Sequence, residues 1–260
     1  MTGGAAVDLT GRVALVTGGS RGLGREMVRA FAAAGADVVI ASRRIETCEK
    51  LAAEIVETTG RRALAHACHV GRWSELDGLV DAAYGAFGAV DILVNNAGMA
   101  PLYPSLTAVT EELFDKVVAV NLKGPFRLGA LLGERMAAAG GGAIVNISSI
   151  AAVRPSPSDL PYAAAKAGLN TLTAGLAGAY GPAVRVNGVM VGPFLTDIST
   201  AWDVAAYTAH ARRRYPLQRL GDPTEIVGTA LYLASDQSSF MTGSVLTLDG
   251  GIAVSSPFPG

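Results

Sequence analysis

The sequence predicts a doubly wound α/β fold with a mainly parallel seven-stranded sheet, and three observations carry that prediction. Seven short, near-continuous apolar runs recur along the chain, as expected of strands buried on both faces. Stretches with apolar residues at helical spacing separate them. A glycine-rich turn, Thr17-Gly18-Gly19-Ser20-Arg21-Gly22-Leu23-Gly24, joins the first run to the first helix. With 260 residues, half of them apolar, the chain is long enough to bury one large core. Residues 1–260 therefore read as a single domain, with a leader at 1–10, an insertion at 193–220 and a tail at 253–260.

In chain order, the strand candidates are Val13 to Thr17, Asp37 to Ala41, Ala63 to Cys68, Asp91 to Asn95, Ala143 to Ile147, Val184 to Val189 and Val245 to Leu248. The first crossover helix carries Leu23, Met27, Ala30, Phe31 and Ala34 on one face, and the second carries Cys48, Leu51, Ile55 and Val56. Thr110 ahead of Glu111 and Glu112 marks a helix start, with acids where the helix dipole favours them. Asp222-Pro223-Thr224-Glu225 combines an N-cap, a first-turn proline and a capping-box glutamate, predicting a helix over Pro223 to Ala234.

Net charge is −1, so no global field points to nucleic acid or to an anionic membrane. Apolar stretches break well short of a membrane span, and Met1 to Leu9 lacks the basic and apolar regions of a signal peptide. A soluble cytoplasmic protein is expected, with Cys48 and Cys68 as buried thiols. No metal site is expected, because strand alternation sends His66 and His69 to opposite faces.

Chemistry concentrates between Ile144 and Ala167. Tyr162 and Lys166 lie four apart in an alanine-rich helical run, so both project from one face. A lysine cation about 5 to 6 Å from the phenol would favour the phenolate by about two pKa units at an effective dielectric of ~20. By itself the pair is weak, since exposed helix faces often carry it. Ser149, thirteen positions before Tyr162 and just past an apolar strand, supplies a hydroxyl opposite the phenol.

The glycine turn suits a dinucleotide: Gly18, Gly22 and Gly24 allow a tight turn and close approach, and the helix N-terminal amides face an anion. Its spacing, Gly-x-x-x-Gly-x-Gly, together with Asn95-Asn96-Ala97-Gly98, Ser149 and Tyr162-x-x-x-Lys166, closely resembles the short-chain dehydrogenase/reductase family. The resemblance runs from Arg12 to about Ile252 and implies a Rossmann-type three-layer sandwich. It also implies hydride transfer between nicotinamide and a carbonyl or secondary alcohol. Tyr162 would move the proton, Ser149 would hold the substrate oxygen, and Lys166 would bind the nicotinamide ribose. Asn121 matches the family's fourth catalytic position, where an Asn carbonyl holds a water; a structural role for a mid-helix Asn, with a bend, stays open.

By the same resemblance the cofactor would touch Gly18, Ser20, Arg21, Gly22, Leu23, Gly24, Ser42, Arg43, Arg44, His69, Val70, Asn96, Ala97, Gly98, Tyr162, Lys166, Gly192, Leu195 and Thr196. Ser42 stands where NAD-selective chains carry an acid. Arg21 and Arg43 are associated in the family with NADP(H), which is therefore the preferred cofactor over NAD(H), while Arg44 also fits a solvated helix start. Two positions depart from the pattern. His69 replaces the Asp that meets the adenine amino group, and could accept from adenine when neutral or face solvent; Val70 could still offer its amide. In Met190-Val191-Gly192-Pro193 the proline follows the glycine instead of preceding it.

Residues 193–220, with Trp202, Tyr207, His210 and Arg212-Arg213-Arg214, would form a lid over a small-molecule substrate. The basic run fits either an anion site or an exposed helix face. Met99 to Ser105 and Arg154 to Asp159 would make the other walls. The resemblance further implies a homotetramer, or a dimer. Ala167, Gly168, Gly175 and Gly178 would permit close approach along helix Ala163 to Tyr180. Substrates in the family include 3-oxoacyl thioesters, sugars and sugar acids, and small ketones. The rival reading is a catalytically silent dinucleotide-binding redox sensor.

Overall fold

The structure, a computed structural model, describes residues 7–197 and 203–254. Its centre is a seven-stranded all-parallel sheet: β1 (Val13–Thr17), β2 (Asp37–Ser42), β3 (Ala63–Ala67), β4 (Ile92–Asn95), β5 (Gly142–Ser149), β6 (Val184–Val191) and β7 (Val245–Leu248). The strand order is β3-β2-β1-β4-β5-β6-β7. Each predicted strand is present within one to two residues. β5 extends to Ser149, so the predicted catalytic hydroxyl ends the strand itself.

Alternation along the strands divides the core between two faces. On one, Ala14, Val16, Val38, Ile40 and Val94 pack under α1 (Gly22–Ala33), α2 (Ile45–Thr59) and α8 (Ile226–Ala234). On the other, Val13, Leu15, Val39, Leu93 and Ile144 pack under α3 (Trp73–Phe87), α5 (Gly124–Ala138) and α6 (Leu160–Tyr180). Both α4 (Glu111–Val118) and α7 (Val204–Arg214) lie outside this frame. Cys48 and Cys68 are buried and free. Among the described residues no helix is long and apolar enough to cross a membrane.

Three local expectations need correction. Val56, placed on the apolar face of α2, is half exposed, because the core stripe runs through Cys48, Leu51, Ala52 and Ile55 instead. The helix expected from Pro223 begins as a 3-10 turn, Pro223–Glu225, before α8. Its capping box is formed: Asp222 accepts from the Thr224 amide and Glu225 from the Asp222 amide. Of the small residues assigned to a helix-pairing face, Gly168 packs inward, since a Cβ there would lie 3.0 Å from Leu122. Gly175 and Gly178 face open space.

The strand order reverses between β1 and β4, where crossovers leave in opposite directions and open a crevice at the carboxyl ends of the sheet. The glycine turn leaves β1 there and Asn95 to Gly98 leaves β4. The two ends are laced together: the Asn96 and Ala97 amides donate to Thr17 Oγ1 at 3.0 and 3.1 Å. Asn96 Nδ2 donates to the carbonyls of Thr17 and Gly18.

Candidate active site

Two elements converge beyond that crevice. β5 delivers Ser149 at its last residue; α6 delivers Tyr162 in its first turn and Lys166 one turn later. A buried polar chain fixes α6 to the sheet. Asn95 Nδ2 donates to Asn146 Oδ1, and Asn146 Nδ2 donates to Thr173 Oγ1, each at 2.9 Å. Ser148 and Ile147 complete the link, through Ser148 Oγ to the Lys166 carbonyl and Lys166 Nζ to the Ile147 carbonyl at 2.7 Å. Lys166 Nζ lies 5.7 Å from the Tyr162 ring centroid. Ser149 stands close enough to the Tyr162 phenol to favour its ionised form, and its Oγ accepts from the Ala151 amide.

The electrostatics differ from the sequence expectation. Burial pushes the Tyr162 phenol up, the Ser149 hydrogen bond pulls it down, and the Asp159 carboxylate pushes it up again. Burial also depresses Lys166 to about 8. The expected lowering of Tyr162 by the lysine charge is therefore not what dominates here: low-dielectric surroundings disfavour the charged form of both groups. A stability test follows. Folded Lys166 binds its proton less tightly than the unfolded side chain, whose pKa is near the ordinary 10.5. Its penalty is full below pH 8 and vanishes as pH rises through the unfolded value. Wild-type stability measured against Lys166→Met should thus rise by roughly 2 kcal/mol between pH 7 and pH 10 in denaturant melts.

Asn121 is wholly buried in a π-helical segment, Ala119–Lys123, that interrupts the α4 to α5 path. The bend expected there is this wider turn. Its side chain donates to the carbonyls of Met99 and Val117 and accepts from the Met99 amide. It thereby pins the loop carrying Gly98, where a Cβ would lie 3.1 Å from Asn121 Oδ1 and 3.7 Å from Lys166 Nζ. A side chain at Gly98 would therefore crowd Asn121.

The predicted cofactor positions fall along the same crevice. A Cβ on Gly24 would lie 2.3 Å from the Gly18 carbonyl, and Gly18 and Gly22 adopt positive φ, so this turn requires its glycines. On the far side, the Cys48 thiol lies among the hydroxyls of Ser20, Thr47 and Ser42. Thr47 Oγ1 is 3.1 Å from Ser20 Oγ and 2.9 Å from the Arg44 carbonyl. Arg21, Arg43 and Arg44 are exposed around this cluster. Hydroxyls backed by guanidinium groups, beside a glycine-lined turn, fit the anionic and hydroxyl groups of a dinucleotide. Thr47 was not anticipated; its only signal is a hydroxyl in the first turn of a helix that follows the arginines.

Other positions change in meaning. Both the side chain and the amide of Asn96 are committed to Thr17 and the glycine turn. His69 Nδ1 accepts from the Gly71 amide at 3.1 Å, so in the neutral ring the proton sits on Nε2. The other nitrogen is thus a donor, and the reading in which His69 accepts from adenine loses its acceptor. Val70 is buried, its carbonyl against Gly124. Gly192 packs on Asp249, where a Cβ would approach to 2.9 Å. Thr196 lies against Gly22, and the Gly22 amide donates to Asp197 Oδ2. The Leu195 amide donates to the Gly221 carbonyl and the Gly221 amide to the Pro193 carbonyl, so the chain on either side of α7 is held together. Arg212, Arg213 and Arg214 are exposed in the last turn of α7, which favours a solvated helix end. Trp202 lies outside the described residues. A broad depression along α4, lined by Glu111, Glu112, Asp115 and Lys116, contains none of these positions.

A dinucleotide crevice with serine, tyrosine and lysine at its mouth defines a nicotinamide-dependent oxidoreductase acting between CH–OH and C=O. Comparison with known proteins agrees. The family model described as enoyl-(acyl carrier protein) reductase matches residues 18–253. Dehydrogenase/reductase SDR family member 4 of Bos taurus is 36% identical over 245 residues, covering 94% of this chain and 88% of that protein. Among solved structures, a putative short-chain alcohol dehydrogenase from Sinorhizobium meliloti superimposes with a TM-score of 0.92 at 37% identity, over 97% of this chain and 100% of that one. A gluconate 5-dehydrogenase from Burkholderia cenocepacia, in complex with NADP and tartrate, gives 0.91 at 34% identity, over 96% and 98%. The chain belongs to the short-chain dehydrogenase/reductase family.

Proposed function

We propose that the protein is an NADP(H)-dependent carbonyl reductase or alcohol dehydrogenase, with Tyr162 as acid/base, Ser149 as substrate-oxygen donor, Lys166 as its electrostatic and ribose partner and Asn121 as the residue that holds their loop. The observation that carries it is the convergence of Ser149 and Tyr162 above a buried Lys166, whose Nζ lies 5.7 Å from the Tyr162 ring centroid. One carbonyl oxygen placed between the two hydroxyls would accept from both, which stabilises charge as hydride arrives. Bound cofactor supplies the hydride; Tyr162 supplies or removes the proton on oxygen, and Lys166 relays or opposes charge beneath it.

The phosphate preference is supported by the cluster of Ser20, Ser42 and Thr47 beside Arg21, Arg43 and Arg44. The intact triad weighs against a silent sensor. Assembly as a dimer or tetramer is supported by the outward face of α6 at Gly175 and Gly178, and sedimentation at micromolar concentration reads it directly. A carbonyl and alcohol panel, run with both cofactors in both directions, tests the whole reading. Absorbance change with at least one substrate is expected, faster with the phosphorylated cofactor; cofactor binding without turnover would favour the sensor.

A further inference from the structure

Resting on the carbonyl/alcohol reading, we infer that the substrate is an uncharged molecule with an extended apolar body, presented to Tyr162 by a rim of exposed aliphatic side chains. Four loops make that rim, and contacts between them fix their adjacency. Tyr103 Oη donates to the Pro157 carbonyl and accepts from the Leu160 amide, joining the loop after β4 to the start of α6. Arg154 Nη1 donates to the Ile252 carbonyl, joining the loop after β5 to the last described segment. The Leu217 amide donates to the Gly250 carbonyl, bringing in the end of the lid. Pro101, Tyr103, Leu113, Val117, Asp159, Pro161 and Tyr162 line one narrow cleft, and Leu102 and Leu160 adjoin it in sequence.

The apolar residues on these loops face outward. Leu102 is 83% exposed, Val153 56%, Leu160 38%, Leu195 41%, Leu217 60% and Val254 86%. Apolar side chains gathered from several separate loops around a reactive group mark a binding surface, not scattered surface hydrophobes. Among the described residues, three polar side chains of these loops are engaged within the rim. Tyr103 bonds two main-chain groups, Asp159 accepts from the Ser156 amide, and Arg154 holds Ile252. A polyol or sugar acid needs several convergent polar partners, and a site without them leaves its hydroxyls unpaired. Ser149 and Tyr162 serve a single oxygen.

The test is a series of 2-alkanones from four to ten carbons, set against an open-chain keto-sugar and a keto-acid. Each methylene seated on the rim should raise kcat/KM by roughly three- to four-fold until the surface is filled. The longest ketones should exceed the keto-sugar by 100-fold or more. Binding of the same ketones to cofactor-loaded Tyr162→Phe, read by nicotinamide fluorescence, should show the same slope without turnover. The double variant Leu102→Gln, Leu160→Gln should flatten it, while the affinity for 2′,5′-ADP stays unchanged. A flat binding series, as would follow if a second copy covers the rim, or a keto-sugar preferred over 2-octanone, overturns the inference. A sloping binding series with no turnover of any carbonyl by the wild type would overturn the oxidoreductase reading and leave the apolar rim standing.

Discussion

Tyr162→Phe is expected to lower turnover by about 10³-fold or more in both directions, with NADPH affinity held within about two-fold. General acid/base catalysis contributes roughly 10² to 10⁴-fold, and the phenol, set beside Ser149 and Lys166, is the group proposed to exchange a proton with the substrate oxygen. Phenylalanine keeps the ring that packs near Lys166, so the fold and the crevice should persist. Steady-state rates and fluorescence titration on the same preparation separate the two effects. Activity above a few per cent of wild type would remove Tyr162 from its role.

The pH dependence of the wild type has a definite sign. Burial raises Tyr162 above the ordinary phenol value and lowers Lys166 to about 8. Oxidation needs the pair to take a proton and should quicken as pH rises from neutrality; reduction needs it to give one and should slow. The two groups titrate as a coupled pair, so the profile reports both together. Tyr162→Phe should lose the rise.

Most of the frame was legible because its signals are local. Buried parallel strands are apolar throughout, so each run could be located from composition alone, and the glycine turn declared the crevice between β1 and β4. Ser149, Tyr162 and Lys166 were legible through their spacing. What the sequence hid depends on partners far along the chain. Nothing near Thr47 says that it meets Ser20, twenty-seven residues away, and nothing near Asn121 says that its side chain will hold Met99. His69 invites reading as a substitute for a carboxylate until the Gly71 amide is seen to occupy its acceptor nitrogen. Electrostatics were misjudged for a related reason. Charge spacing along a helix is visible in a sequence, but the depth of burial that outweighs it is not.

Arg43→Ala is expected to weaken NADPH by about 10- to 100-fold in kcat/KM while changing NADH by less than about three-fold. A guanidinium on a phosphate makes charge-assisted hydrogen bonds worth roughly 1.5–3 kcal/mol, and a ribose hydroxyl offers no matching charge. Arg43 follows β2 directly and is exposed beside Ser42, whose side chain lies with those of Ser20 and Thr47 around Cys48. No carboxylate ends that strand to receive the bare ribose, so an NADH preference has no partner to rest on. Titration with 2′,5′-ADP and 5′-AMP isolates the phosphate from the nicotinamide half. The variant should lose the difference between the two, and raised salt should erode the wild-type preference as it screens exposed arginines. Arg44→Ala then apportions the effect. Equal losses would mean that the phosphate sits between the two guanidinium groups; an effect confined to Arg43 would leave Arg44 as a solvated start of α2. Comparable kcat/KM for NADH and NADPH in the wild type would remove the phosphate site altogether.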